Sequence, residues 1–493
     1  MVSGRGSVLK KWGARLLLAL GSLVVFFLLA ELFIRYSDIL PVPLQHRDDL
    51  GDYYTNPLPL LFTIDGDDSR IARGKDSARL PTEKRPDELR VAFFGESSME
   101  GVPYSQEEAP PNLFLTEMRR LYPALDLTVI NMARGGSTMM DAFYYLQAIQ
   151  RFEPDVIVFY QGINDLNFGF RESAESGWPL SYPVLYPLWQ GLVSRSQFLL
   201  SVRLLGKLVA ERLLPLEAAR VGREDFDVPR AAQFWASSLV EAAARSGAAV
   251  FVTTPIDNVL NDHLSFPLGG PRGGNESRMT IEAELAAFGQ KDRDLLACLL
   301  EQTCDLGAFF TRHGLPRESR HMILMNEVWR RAAEEHGAVL VDFRERLVPV
   351  IPHGVFTYPT LTDDIHLSLV GYESLARSWI SAFVEEGLVP PPPDDVFHMP
   401  LDFEDPAKAP SLSHCENYYL TYLLSGNYLL ATGLVMIAAH VHEDEYARLI
   451  LARLRAALGL PPGVSPAEAE RARALDLDSF LKEMAAQQRH AQW

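Results

Sequence analysis

The segment Leu89-Arg90-Val91-Ala92-Phe93-Phe94-Gly95-Glu96-Ser97-Ser98-Met99-Glu100-Gly101 joins an abrupt apolar run to a serine set between glycines. Apart from Arg90 the run is apolar. It is too short for a buried helix and lacks the alternation of a half-exposed strand, so it reads as a strand covered on both faces of a parallel sheet. Four further runs repeat the pattern, from Leu127 to Asn131, Asp155 to Tyr160, Ala248 to Thr254 and Ala338 to Phe343. Helix-like segments lie between them, among them Asn112 to Tyr122 and Met140 to Phe152. Strands and helices that alternate in this way fold through right-handed crossovers, so the expected domain is α/β with a mostly parallel sheet.

In such a sheet, a serine at the tight turn after a strand stands at the carboxyl edge, where ligands bind. Ser97 occupies that place, with Ser98 beside it as a competing hydroxyl. Taken alone, a Gly-x-Ser there is more often a structural turn. The second strand is followed by Asn131-Met132-Ala133-Arg134-Gly135-Gly136-Ser137-Thr138. Its paired glycines can bring a backbone N–H up to a substrate oxygen, or simply make a βα turn. Gly162-Ile163-Asn164-Asp165 follows the third strand. There the Asn164 amide can donate to a developing oxyanion, while the plainer reading has Asn164 or Asp165 capping a helix. Asp363-Asp364-Ile365-His366 lies on a loop before the last helix of the domain. A histidine so placed can face the serine with one ring nitrogen while a carboxylate, Asp363 or Asp364, holds the other in the required tautomer.

The four pieces come in order, each just after an expected strand or just before the last helix, and here the sequence resembles the SGNH/GDSL hydrolase superfamily. The first block of that family, Gly-Asp-Ser-x-x-x-Gly, is matched by Gly95, Ser97 and Gly101, with Glu96 in place of the aspartate. The oxyanion glycine of the second block falls on Gly136, although Ala133 stands where a glycine or serine is common. The asparagine of the third block falls on Asn164, and the Asp-x-x-His of the last on Asp363 and His366. The resemblance covers residues 88 to 386 and implies a three-layer α/β/α domain of flavodoxin-like type. It implies Ser97 as nucleophile, His366 as base, Asp363 as the orienting carboxylate, and an oxyanion hole made by Ser97, Gly136 and Asn164. It implies no metal or organic cofactor, and an acyl-ester substrate on a glycan or a lipid. Transfer of the acyl group to water or to an alcohol fits these motifs equally, so esterase and O-acyltransferase both stand. The competing class is an inactive protein of the same fold that serves as a binding or assembly factor of the cell envelope. A missing catalytic residue would mark it, and none is missing.

At 493 residues the chain is longer than one core supports, and a main domain of roughly 250–300 residues with attachments is expected. Lys10, Lys11 and Arg15 precede an apolar stretch from Leu16 to Ile34 broken only by Glu31. At about 1.5 Å per residue this stretch spans most of a hydrocarbon core of roughly 30 Å. Residues 16–34 are therefore expected to be a retained signal anchor, with residues 1–15 cytoplasmic and the rest extracytoplasmic, periplasmic in a bacterium. A cleaved signal peptide is the rival, but no small-x-small cleavage site follows Ala30. Residues 35–86 read as a stalk. Residues 87–389 read as the hydrolase domain, with insertions near 166–228 and 258–317 that suit lids, acceptor sites or structural caps.

Residues 390–493 read as a proline linker, Pro390 to Pro393, and a helical region open to a protein partner. The uncharged run from Asn417 to Ala439 raises the question of a second span, but Ser425-Gly426-Asn427 divides it into two packed helices. A net charge of −18 excludes the wrapping of nucleic acid, because no basic patch after residue 35 offsets it. Of three cysteines, Cys298 can pair with Cys304 in an oxidising compartment, leaving Cys415 alone. The ordinary burial of cysteine favours free, partly buried thiols, and no zinc-type spacing is present.

Overall fold

The computed structural model describes residues 21–22, 25–30, 62–65, 68–73, 76–81, 83–165, 228–260, 285, 289–301, 304–315, 319–351, 354–357, 360–363, 365–392, 405–425 and 427–475. The chain forms two compact units, residues 1–84 with 168–231, and residues 85–167 with 232–493.

In the first unit, Phe62–Asp65 (β1), Asp68–Arg73 (β2) and Asp76–Pro81 (β3) pair as an antiparallel meander. Asp65 pairs with Asp68 and Arg73 with Asp76, so each connection is two residues long, Gly66-Asp67 and Gly74-Lys75. The meander lies within residues 35–86, which the sequence reads as a stalk. Glycine-led two-residue connections are a hairpin signal, hidden here by strands with little hydrophobic alternation. The expected anchor, 16–34, lies largely outside the described residues. Residues 21–22 and 25–30 are helical, with Val25, Phe26, Leu28 and Leu29 exposed. Among the described residues no helix is long and apolar enough to cross a membrane. The insertion near 166–228 lies outside the described residues as far as residue 227.

The second unit is built on a parallel sheet of Leu89–Gly95 (β4), Leu127–Asn131 (β5), Val156–Tyr160 (β6), Ala249–Thr253 (β7) and Val339–Val341 (β8), in the order β5-β4-β6-β7-β8. The chain runs from β4 outward to β5, then returns past its start to β6. The loops leaving β4 and β6 therefore part in opposite directions and leave a crevice at the carboxyl edge. In chain order, the described α-helices from β4 onward begin with Ser97–Glu100 (α1), Pro110–Leu121 (α2), Met139–Ile149 (α3), Val228–Arg245 (α4), Gln290–Glu301 (α5), Leu306–Arg312 (α6), Arg320–His336 (α7), Phe343–Leu347 (α8) and Leu369–Glu385 (α9).

Alternation along β4 decides the layers. Phe93 faces α2 and α9, with its ring 5.3 Å from Phe114 and 4.9 Å from Trp379. Phe94 faces the other way, against Phe159, which stacks on Trp329 of α7. On that side Phe143 of α3 meets Trp235 of α4. Helices on both faces make the three-layer α/β/α domain.

The remaining helices are Leu412–Ser425 (α10), Tyr428–His440 (α11), Glu445–Ala457 (α12) and Pro466–Ala474 (α13). The uncharged run is divided at Asn427, whose side chain caps α11 by accepting the Leu430 N–H at 3.2 Å. Tyr419, Leu423, Leu434 and Ile450 of these helices are buried in one cluster with Leu295 and Leu296 of α5 and Phe310 of α6. The described part of the second insertion and the C-terminal helices thus share a core of their own. Cys298 and Cys304 form a disulfide, while Cys415 is free and buried. The bridge corrects the expectation of free thiols: the two Cα atoms lie 5.2 Å apart, within reach of a bond.

Candidate active site

The site assembles where β4, β5 and β6 end. Gly95 closes β4 because a Cβ there would strike Met99 and lie 2.8 Å from the Tyr160 carbonyl. The extended Glu96 then turns the chain into α1, so Ser97 stands at the crevice. On the opposite side Thr362 N–H and Oγ1 both donate to the His366 carbonyl, at 2.8 and 3.2 Å, which closes a tight loop held by the Leu361–Leu367 bridge. Ser368 caps α9 just beyond, accepting the Gly371 N–H at 3.1 Å.

This loop sets His366 between two partners. Its Nε2 lies 2.7 Å from Ser97 Oγ, and its Nδ1 lies 2.7 Å from Asp363 Oδ2. The other Asp363 oxygen accepts the backbone N–H groups of Ile365 at 2.9 Å and His366 at 2.7 Å. Burial pushes the Asp363 carboxyl up, but the facing His366 and these hydrogen bonds outweigh it and hold the group below the usual carboxylate range. Ser98 is excluded as the partner of His366, because it is buried and its Oγ donates to the Ile365 carbonyl at 3.3 Å. Asp364, the alternative carboxylate, lies outside the described residues.

Gly136 and Asn164 stand on the two neighbouring loops. Gly136 takes a left-handed conformation, φ 72°. It sits between Gly135, whose N–H donates to Glu100 at 2.5 Å, and Ser137, whose Oγ donates to the Gly95 carbonyl at 2.9 Å. Asn164 uses one amide hydrogen on the Ser137 carbonyl at 3.1 Å, so the two loops are tied together, and its second amide hydrogen is left for another acceptor. Among the described residues neither Gly136 nor Asn164 hydrogen-bonds Ser97 itself. Asp165 reaches across to another element: its two oxygens accept the Met139 N–H at 3.1 and 3.0 Å, at the start of α3. Its burial, with the Asp141 charge adding to it, raises the carboxyl to about 8.

Sequence reasoning missed the part played by Glu96, which it treated as a mere departure from a motif. The Glu96 carboxyl accepts the Gly162 N–H at 2.6 Å and the Asn164 N–H at 2.8 Å, so it anchors the loop carrying Asn164 to the turn carrying Ser97. Gly162 permits the approach: its φ is 121°, and Met325 Cγ would lie 2.6 Å from a Cβ. Burial, and then the charge of Asp165, push the Glu96 carboxyl well above its ordinary range. A second residue missed is His414 of α10, whose Nε2 lies 3.6 Å from Asp363 Oδ2. Among the described residues no group of His, Cys, Asp and Glu is arranged to hold a metal ion. A hydroxyl, an imidazole and a buried carboxylate linked in this order can pass the hydroxyl proton to the ring as the oxygen attacks an acyl carbon.

Residues 93–373, more than half of the chain, match the model of the GDSL-like Lipase/Acylhydrolase family. No curated protein matches the chain. Among solved structures, an acetyl xylan esterase is 14% identical, with 60% of this chain and 99% of that one covered, at a TM-score of 0.33. A psychrotrophic esterase from Pseudoalteromonas sp. is 11% identical over 61% of this chain and 98% of its own, at 0.30. An acetylxylan esterase from Geobacillus stearothermophilus is 13% identical over 59% and 93%, at 0.31.

Proposed function

The chain belongs to the GDSL-like lipase/acylhydrolase family, and on that premise we propose that it is a serine esterase or O-acyltransferase working through an acyl-Ser97 intermediate. The observation that carries the reading is the chain of two 2.7 Å contacts from Ser97 through His366 to Asp363. In the first step His366 Nε2 takes the Ser97 proton as Oγ bonds to the ester carbonyl carbon, and the carbonyl oxygen becomes an oxyanion. The N–H groups of Ser97 and Gly136 and the second amide hydrogen of Asn164 receive that charge. Collapse breaks the bond to the alcohol, which leaves with the proton held by His366. Water, or an acceptor alcohol, then attacks the acyl-serine with His366 again taking the proton, and Ser97 is restored. Asp363 stays ionised throughout and stabilises the imidazolium.

The proposed setting is extracytoplasmic, with residues 16–34 as a single anchor and small acyl groups such as acetyl, on envelope polysaccharide or lipid, as substrate. The basic-then-apolar N-terminus supports the anchor. The Cys298–Cys304 disulfide supports an oxidising compartment. The test is hydrolysis of short-chain aryl esters and of an acetylated polysaccharide by the full-length protein beside Ser97→Ala and His366→Ala. Turnover by the wild type that disappears in both variants is the expected result. A folded wild type without turnover of any ester, or a Ser97→Ala variant as active as wild type, overturns the reading and favours a binding factor of the same fold.

A further inference from the structure

The family match ends at residue 373, yet α10, well beyond it, packs onto the catalytic dyad. His414, Tyr418 and Tyr422 recur every four residues and therefore lie along one face of this helix. The His414 ring lies 4.5 Å from that of Tyr418, which stands edge-on to His366 with centroids 6.2 Å apart. His414 is 9% exposed, and among the described residues its Nε2 has no hydrogen-bond partner. The acceptor in front of it is Asp363 Oδ2, at 3.6 Å, the same oxygen that holds His366 Nδ1 at 2.7 Å.

The tautomer follows from the charge it faces. Burial brings the His414 ring down to about 4, with Asp363 pulling it up and His366 pushing it down again, so the ring is neutral near pH 7. A neutral imidazole carries one donor and one acceptor nitrogen. A lone pair aimed at a carboxylate is repelled, so the proton sits on Nε2, and contraction to about 2.9 Å makes an ordinary hydrogen bond. A buried N–H left unpaired is costly, which favours that contraction. The carboxylate then has a donor on Oδ2 besides His366, while Oδ1 is held by two backbone N–H groups. Its plane is fixed on both sides when the imidazolium forms.

We propose that the C-terminal helical region is part of the catalytic site, with His414 as a positioning residue that holds the Asp363 carboxylate for His366 and Tyr418 covering the pair against water. This rests on the assignment of Ser97, His366 and Asp363 made above. A second donor on Asp363 also draws charge away from His366 and so lowers its basicity. Among the described residues the titratable groups facing His366 include Ser97 from α1, Asp363 from its own loop, and His414 and Tyr418 from α10; Tyr372 of α9 stands within the electrostatic reach of Asp363.

The experiment compares pH profiles of ester hydrolysis for full-length wild type, Ser97→Ala, His414→Phe and His414→Gln, each checked for folding by thermal melting. His414→Phe keeps the volume of the ring without a donor, and His414→Leu replaces it should the larger ring not be accommodated. His414→Gln keeps an N–H near the Nε2 position. The expected result is a kcat lower by about ten- to hundredfold in His414→Phe, as befits loss of a hydrogen bond to a charged group. KM stays unchanged and the acidic limb of the profile moves to higher pH, while His414→Gln restores both. A merely structural His414 gives the reverse order, with His414→Phe close to wild type and His414→Gln the poorer variant, and that outcome overturns the proposal. Wild-type activity abolished by Ser97→Ala with no change of kcat or profile in any His414 variant refutes the role of His414 alone. A wild type without esterase activity removes the underlying assignment, and the proposal with it.

Discussion

Ser97 and Ser98 are chemically identical neighbours, and only their partners separate them. Ser97 meets His366, while Ser98 is spent on the Ile365 carbonyl. That distinction was legible in the sequence, because the glycine spacing around Ser97 and the three-residue step from Asp363 to His366 are local patterns. The task of Glu96 was not legible, since its partners stand 66 and 68 residues away in the chain. His414 was hidden for the same reason, across a proline linker. On the proposed mechanism, replacement of Asn164 by alanine should remove one oxyanion donor and lower kcat by about 10²–10³, and it should also lower the melting temperature by a few degrees because the bond to the Ser137 carbonyl is lost. Turnover within a few-fold of wild type, in folded protein, would contradict that role. Asp165 offers a pH test. Its carboxyl is raised from an ordinary 3.8 to about 8, so the folded chain holds a proton that the unfolded chain has released across that interval. The stability of wild type relative to Asp165→Asn therefore falls as pH rises from about 4 to about 8 and is flat outside it, as denaturant titrations at a series of pH values will show.

The βα turns, more than the strands, set the geometry of the site. The strands needed only short buried runs, and β4 to β7 lie where those runs were read. The β1–β3 meander escaped notice because its strands are polar and alternate weakly. Between β5 and α3 the decisive feature is a capping box in which Thr138 and Asp141 satisfy each other's backbone N–H groups. The Thr138 carbonyl also accepts the Gln161 side chain at 2.8 Å, which joins the start of α3 to the end of β6. Thr138→Ala should cost about 1 kcal/mol in denaturant unfolding, the usual loss of an N-cap. A change below a few tenths would mean that the cap contributes nothing to holding the Gly136 loop.

The C-terminal helices are bound into the second unit by packing, and this alters what their removal should do. Read from sequence, they form a separate region beyond four prolines, a surface for a partner. In the folded chain Leu295, Leu296 and Phe310 are buried in the same cluster as Tyr419, Leu423 and Leu434. A chain ending at Val389 would expose those side chains and remove His414 from Asp363. It is expected to lose ester hydrolysis and to melt earlier or aggregate, as activity assays and light scattering on the purified protein will report; a truncated chain with full activity and an unchanged melting temperature would show the tail to be dispensable. The most direct test of the central claim is treatment of the full-length protein with a fluorophosphonate, followed by peptide mass mapping of the adduct. The expected result is a single adduct on Ser97, absent from His366→Ala and unchanged in Ser98→Ala. An adduct on Ser98, or a folded wild type that takes up no label, would contradict the assignment of Ser97 as the activated nucleophile.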